Sequence, residues 1–110
     1  MNSPQNERVR ALNDQLRKTG AGGQVLITRG IQAFGPERLA AIVLAVRIFD
    51  EFNEDNDPYG EHDFALLEVD GASVIFKIDY YDLDLACLSP DPSDPTVTRR
   101  VMTILLSEEY

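Results

Sequence analysis

The sequence predicts one α+β domain over residues 1–110, in which a small antiparallel sheet of three or four strands packs against helices mainly on one face. Two segments carry apolar residues at helical spacing, and a third has Asp-Gly between two runs of β-favouring residues. The chain has 110 residues and a hydrophobic fraction of 44%, which suit a single small core. The expected order of elements is helix, strand, helix, hairpin, helix.

The first helix is expected over residues 3–19. Ser3 can cap its N-terminus, and Pro4 suits its first turn. One stripe of this helix carries the apolar side chains of Val9, Leu12 and Leu16. A glycine-rich run ends the helix and a short strand follows over residues 24–28. The connection at residues 30–35 has room for one turn of helix.

The second helix is expected over residues 36–52 and should be the one that packs against the sheet. Pro36 occupies its first turn, where the missing N–H has no cost. Its apolar stripe is broad and comprises Leu39, Ile42, Val43, Val46 and Phe49. Each large side chain buried from that stripe contributes about 1.5–3 kcal/mol before the entropy of ordering is counted.

Asp70-Gly71 predicts the two-residue turn of a central β-hairpin, because both turn positions require residues that tolerate positive φ. The turn also fixes the register of the two strands. Val69 should face Ala72, and counting back along the strands places His62 opposite Asp79.

The two faces of this hairpin differ in character, because side chains alternate along each strand. The face expected to join the core carries Ala65, Leu67, Val69, Val74, Phe76, Ile78 and Tyr80. The other face mixes apolar and ionic side chains, namely His62, Phe64, Leu66, Glu68, Ile75, Lys77, Asp79 and Tyr81. That second face should be half covered by a helix or should meet a partner, and a homodimer is one such arrangement.

The C-terminal third begins with residues 82–88, whose alternating pattern either extends or bends the strand. Three prolines within residues 89–95 exclude regular structure there and indicate a rigid connector. Asp94 can cap a final helix and Pro95 can begin it, so we expect this helix to run through about Glu108. Its apolar stripe would comprise Val97, Val101, Ile104 and Leu105.

Charge is distributed unevenly along the chain, which has a net charge of −9. Residues 48–98 hold 14 acids and one base, Lys77, whereas the rest of the chain holds 5 acids and 9 bases. Affinity for nucleic acid comes from lysine and arginine displacing counterions, so direct nucleic-acid binding through the middle segment is not expected. Basic proteins are the expected partners, and the alternative is that the carboxylates are simply solvated.

The location expected from the sequence is the cytoplasm. No apolar run approaches the roughly 20 residues that a membrane helix needs, and no hydrophobic signal segment stands at the N-terminus. The single cysteine, Cys87, cannot form an internal disulfide, which agrees with a reducing compartment. No cofactor is expected, and no membrane contact.

Candidate functional residues cluster at the end of the hairpin away from its turn. They are Glu54, Asp55, Asp57, Tyr59, Glu61, His62, Asp63, Lys77, Asp79, Tyr81 and Asp82. Three interpretations stay open: a structural role, a surface that binds a partner, and a metal or catalytic site. A His-carboxylate pair can orient an imidazole as a general base, and carboxylates can hold a hard cation. The loop fails the calcium-hand pattern, however, and no second histidine offers a zinc site.

Lys77 and the tyrosines belong to the same end of the hairpin. As the one base among many acids, Lys77 should form an ion pair with Glu68 or Asp79, unless it is simply solvated. The tyrosines add aromatic surface of the kind found in protein interfaces, although such side chains also close small cores.

Two motifs resemble those of a known family. Residues 54–64 read EDNDPYGEHDF, residues 77–82 read KIDYYD, and Ser89-Pro90-Asp91-Pro92 follows. Together they are similar to a family of short bacterial proteins catalogued as a domain of unknown function, over about residues 8–110. The resemblance implies a bacterial cytoplasmic protein linked to plasmids and other mobile elements. It supplies neither an activity nor catalytic residues.

Two hypotheses follow from the sequence. The first is a non-enzymatic acidic domain that binds a basic protein, as a mimic of nucleic acid that inhibits a restriction or CRISPR nuclease of the host. The second is a small metal-binding or hydrolytic domain that uses His62, Asp79 and neighbouring carboxylates.

Overall fold

The computed structural model describes residues 3–110. The three helices are α1 (Pro4–Thr19), α2 (Arg29–Gln32) and α3 (Pro36–Ile48). The four strands are β1 (Gln24–Ile27), β2 (Phe64–Val69), β3 (Ala72–Tyr81) and β4 (Arg99–Leu106), and a 3-10 turn follows at Ser107–Glu109. Among these described elements, no helix combines the length and the apolar character needed to cross a membrane.

The strands form one sheet in the order β1-β4-β3-β2. Strand β4 pairs antiparallel with β3, and β3 pairs antiparallel with β2. Strand β1 pairs parallel with β4, so that Gln24 lies beside Val101 and Ile27 beside Ile104. The α+β class is therefore confirmed, with four strands, but the sheet is mixed rather than purely antiparallel.

The central hairpin has the predicted turn. Asp70 and Gly71 have φ values of 49° and 84°, and Val69 pairs with Ala72 as expected. The predicted register holds from there back to the pair of Phe64 and Lys77. It does not continue to His62, whose own φ of 55° turns the chain away from β3.

The core lies between the helices and the face of the sheet that the alternation predicts. Its buried residues are Leu16, Ile31, Ile42, Val46, Ala65, Val74, Phe76, Ile78, Met102 and Ile104. The opposite sheet face is partly closed by its own side chains. Ile75 and Leu105 are buried there as cross-strand neighbours, whereas Leu66 remains 57% exposed.

The two longer helices match the prediction except at one end. Ser3 caps α1, since its hydroxyl oxygen accepts from the backbone N–H of Asn6 at 3.0 Å. Helix α3 ends at Ile48 rather than at Phe52, because Phe49 adopts an extended conformation. This break turns the rings of Phe49 and Phe52 inward, where each packs edge-to-face near Phe76.

The predicted C-terminal helix is wrong, because residues 99–106 form strand β4 in the interior of the sheet. The burial of β4 does not alternate: Val101, Met102, Ile104 and Leu105 are buried and Thr103 and Leu106 are partly exposed, so residues on both faces of the strand have little exposure. A continuous apolar run is typical of such a central strand, and over a short length it cannot be distinguished from a helical stripe. Val101, Thr103 and Ile104 are also β-branched, which favours the strand.

We expect Ile104→Ala to lower the free energy of unfolding by about 2–5 kcal/mol, because it leaves a cavity in the core beneath β4. The neighbouring variant Thr103→Ala lies on the other face and should change it by less than about 1 kcal/mol. Chemical denaturation of both variants measures the difference. Equal losses would contradict the assignment of β4.

Candidate functional site

The acidic loop, residues 53–63, is folded by its own polar groups. The side-chain oxygen of Asn53 accepts from the N–H groups of Asp55 at 2.8 Å and Asn56 at 3.1 Å. The Asp57 carboxylate, with 5% of its side chain exposed, accepts from the N–H groups of Glu61 and His62 at 3.1 and 3.2 Å. Asp57 therefore closes the loop from inside and is not available to a partner.

Helix α1 holds this loop through three consecutive backbone carbonyls. Side chains spaced along one face of the helix donate to them: Asn6 to Tyr59 at 3.1 Å, Arg10 to Gly60 at 3.1 Å, and Asn13 to Glu61 at 3.0 Å. Side chains spaced by four and then three residues lie on one side of a helix, so the loop runs along α1. The acidic loop is thereby fixed to the rest of the fold.

His62 lies between two carboxylates and against an aromatic ring. Its Nδ1 is 2.9 Å from the Oδ1 of Asp14, and its Nε2 is 3.6 Å from the Oδ2 of Asp57. Its imidazole stacks on Phe52, with ring centres 3.9 Å apart and planes 6° apart. Each ring nitrogen thus faces a protein carboxylate, an arrangement suited to holding the loop in place.

The predicted pairing of His62 with Asp79 is wrong. Asp79 lies opposite Val101 of β4, on the sheet face away from the helices, and its carboxylate accepts from Lys77 at 2.6 Å. His62 turns to the helical side, where it meets Asp14. The predicted ion pair between Lys77 and Asp79 is confirmed, while Glu68 accepts from the hydroxyl of Ser73 instead.

Arg17 joins α1 to the end of α3. One of its terminal nitrogens donates to the backbone carbonyls of Val46, Arg47 and Phe49, at 3.1, 3.1 and 2.8 Å. The other donates to Asp14 at 2.9 Å, so Asp14 is shared between Arg17 and His62. The side chain is 2% exposed, and its guanidinium lies 5.3 Å from the centre of the Phe52 ring. This arginine satisfies carbonyls that the end of a helix leaves without partners.

A second set of buried polar groups joins α1 to the sheet. The Nε of Arg100 donates to the Oδ1 of Asn13 at 2.7 Å, and the amide nitrogen of Asn13 donates to the hydroxyl of Tyr80 at 2.8 Å. The Tyr80 hydroxyl donates in turn to Glu61 at 3.0 Å. Burial raises the pKa of Tyr80 well above its ordinary value and lowers the pKa of Arg100.

Asp63 is the carboxylate of the acidic loop whose ionisation its surroundings oppose. Burial raises its pKa above the ordinary value of 3.8, and the nearby charge of Glu61 raises it further. Asp57 and Asp79 act in the same direction through smaller contributions. Concentrating acids at this end of the hairpin therefore opposes the ionisation of Asp63.

The predicted partner-binding residues divide between two sides of the sheet. Glu54, Asp55 and Tyr59 are exposed, Asp57 is buried, and the other seven are intermediate. Lys77, Asp79 and Tyr81 share the sheet face away from the helices, because they alternate with core residues of β3. His62 and Asp57 lie on the helical side. The structure thus brings the loop residues together but separates them from the β3 residues.

A shallow pocket of about 310 Å³ opens beside His62, between the acidic loop and Arg10. Residues 3–110 contain no group of three or more His, Cys, Asp or Glu side chains positioned to hold a metal ion. Cys87 is exposed and is not among the residues that line this pocket. The pocket therefore offers polar contacts without an assembled metal-ligand set.

Sequence reasoning missed Asn13, Asp14, Arg17 and Arg100 as site residues. A signal for one of them was present, because Asn13 falls between Val9 and Leu16 on the buried stripe of α1. A polar residue within an apolar stripe requires a buried partner. Nothing local identifies that partner, since Arg100 lies 87 residues away in sequence.

Comparison with known proteins gives one family match. The family model described as Protein of unknown function (DUF3768) matches residues 27–109, from the end of β1 to the 3-10 turn. No curated protein and no solved structure gives a significant match. The matched region includes the acidic loop and its hairpin.

We expect Arg17→Met to lower the free energy of unfolding by about 3–5 kcal/mol, because it leaves Asp14 and three carbonyls without their buried donor. Arg47→Met is the matched control, since Arg47 is exposed, and should change it by less than about 0.5 kcal/mol. Denaturant titration compares the two variants. A loss for Arg17→Met as small as for the control would show that the arginine does not join the helices.

Asp63→Asn should stabilise the protein at neutral pH. Because the native pKa of Asp63 is raised, the folded protein binds its proton more tightly, and stability falls as pH rises from 3.8 through the native pKa. Asparagine removes this penalty, so its advantage should be largest at pH 7 and should vanish below pH 3.8.

Thermal or denaturant unfolding across this pH range measures the effect of Asp63→Asn. Asp84→Asn, which removes one charge at an exposed position, is the control. A stability gain that is the same at every pH would contradict the prediction.

Proposed function

We propose that this chain, which belongs to the family described as Protein of unknown function (DUF3768), is a non-enzymatic domain that binds a basic surface of another protein. One observation carries the proposal. Four exposed carboxylates follow one another within six residues after α3, and we call them the exposed acidic cluster: Asp50, Glu51, Glu54 and Asp55. Among the described residues, no cation lies within ion-pair distance of any of the four.

The exposed acidic cluster differs from the other acids of the loop. Asp57 and Glu61 accept hydrogen bonds from groups of the protein itself, so these carboxylates act within the fold. Within residues 3–110 the four exposed carboxylates form no ion pair. Asp50 and Glu51 precede the acidic loop and Glu54 and Asp55 belong to it, and this loop is held by its own hydrogen bonds and by α1. A fixed group of unpaired charges attracts an oppositely charged partner with little ordering cost.

Within this proposal, the partner is a nucleic-acid-binding protein of the host, such as a restriction or CRISPR nuclease. Such a protein offers lysine and arginine side chains arranged for phosphates, and closely spaced carboxylates can occupy the same positions. The family resemblance implies a link to mobile elements, and such a link supports this choice because these elements gain from inhibiting host defence. The chain itself is proposed not to bind nucleic acid.

The alternative of a metal-binding or hydrolytic domain has weaker support. It relied on His62 and Asp79 as neighbours, and these side chains lie on opposite sides of the sheet. The carboxylates that do approach His62, those of Asp14 and Asp57, are also bound by Arg17 and by backbone N–H groups. No specific observation favours this second function.

Neutralising the exposed acidic cluster should weaken binding to a nucleic-acid-binding partner by at least about tenfold, because each lost contact with a cation costs a few tenths to 1 kcal/mol. The test captures partners from a bacterial lysate at low salt, identifies a nucleic-acid-binding protein, and measures its Kd with the purified chain. The variant carries Asp50→Asn, Glu51→Gln, Glu54→Gln and Asp55→Asn.

The control removes the same charge elsewhere, through Glu7→Gln, Glu37→Gln, Asp84→Asn and Glu108→Gln, all at exposed positions. The control should bind nearly as the unchanged chain does, and duplex DNA should compete with the chain for the partner. Binding that is insensitive to salt, or equally weakened in both variants, would falsify the proposal.

A further inference from the structure

Strand β2 has a free edge. It is the last strand of the sheet and pairs only with β3. The hairpin turn and the bond from the N–H of Ile78 to the carbonyl of Asp63 fix the backbone pattern. The N–H and C=O groups of the odd-numbered residues of β2 point toward β3. The backbone groups of Phe64, Leu66 and Glu68 therefore point outward, and no group among the described residues bonds to them.

A groove of about 550 Å³ runs along this edge, between β2 and the chain that leaves α3. We call it the β2 groove, and its lining comprises Ile48, Phe49, Asp50, Glu51, Leu66, Leu67 and Glu68. Ile48 is 68% exposed and Leu66 is 57% exposed, so the groove offers two large apolar side chains to solvent. Its charged residues are all acids.

Edge strands of natural proteins are usually protected from pairing with other chains by lysine, proline, a bulge or a covering segment. Strand β2 reads FALLEV and contains neither lysine nor proline. Its pairing with β3 proceeds residue by residue without a bulge. The edge is thus open to another strand along its outward-facing groups.

We propose that the β2 edge accepts an extended segment of a partner protein as a fifth strand, in which apolar residues alternate with lysine or arginine. Backbone groups of the segment bond to Phe64, Leu66 and Glu68. Its apolar side chains cover Leu66 on the sheet face away from the helices, and its cations, on the helical side, meet Asp50 and Glu51. The inference rests on the proposed function and specifies how the basic partner binds, because Asp50 and Glu51 belong to both the groove and the exposed acidic cluster.

The negative charge of the β2 groove disfavours a second copy of this chain as its occupant. Pairing two β2 edges would bring two sets of groove acids together, in a chain whose net charge is −9. Like charges placed directly across a sheet are destabilising. A basic segment removes that repulsion.

The test uses the full chain and a capped octapeptide of alternating lysine and valine. Addition of the peptide should shift the amide resonances of Phe64, Leu66 and Glu68 and slow their hydrogen exchange by at least about tenfold, because they gain bonded partners. A peptide with alternate backbone amides methylated keeps its charge but cannot form the ladder, and it should bind at least about tenfold more weakly.

Two variants of the chain complete the test. Leu66→Lys should weaken peptide binding at least about tenfold, because it places a cation on the proposed edge. Leu26→Lys, at a 52% exposed position on the opposite edge strand β1, should not. Both positions are exposed, so both variants should fold.

The outcomes separate this inference from the proposed function. Peptide binding that perturbs residues 50–55 but leaves the β2 amides unchanged, or that tolerates methylation, would overturn strand addition while leaving an acidic binding surface. Protection of the β2 amides without peptide, together with a dimer in sedimentation, would show that a second copy occupies the edge. Absence of any binding of the cationic peptide would overturn the inference and weaken the proposed function as well.

Discussion

The acidic loop and the end of α3 are joined through the carboxylate of Asp14, which Arg17 and His62 share. It accepts from the buried guanidinium of Arg17 and meets the imidazole of His62, each at 2.9 Å. Arg17 in turn holds the end of α3, and His62 holds the end of the acidic loop. Removing one member leaves buried polar groups without partners, which costs more than the net value of any single bond.

This arrangement assigns different roles to acids that look alike in the sequence. Asp14, Asp57 and Glu61 act within the fold, where their charges and lone pairs are used by arginine, histidine, tyrosine and backbone groups. Asp50, Glu51, Glu54 and Asp55 face solvent, and within residues 3–110 they form no ion pair. Some acids of the chain thus fix the acidic loop, while others, in and just before that loop, face solvent where the proposed basic partner would meet them.

Local signals in the sequence predicted the parts of the fold that local chemistry determines. Ser3 and Pro4 begin α1, and Asp70-Gly71 forms the hairpin turn, because capping and positive φ depend on those residues themselves. The alternation along β2 and β3 likewise predicted the core face. Strand β4 could not be predicted, because its apolar run suits a helix as well as a strand until its neighbours on both sides are known.

The site was predictable only in part for the same reason. The motif that surrounds His62 indicated the loop, but the positive φ of His62 ends the ladder before Asp79 and sends the imidazole to α1. The bonds from Asn13 to Arg100 and Tyr80 join residues separated by 87 and 67 positions. Polar pairs at such separations are set by the packing of complete elements, and no pattern within one element specifies them.

The proposed function requires that the exposed carboxylates after α3 contact the cations of a protein partner. Zero-length carbodiimide cross-linking of the complex, read by mass spectrometry, tests this directly, because the reagent joins a carboxylate to a lysine only where the two touch. We expect cross-links from Asp50, Glu51, Glu54 or Asp55 to lysines in the partner's nucleic-acid site. Cross-links confined to Glu7, Glu37 or Glu108, with none from residues 50–55, would contradict it.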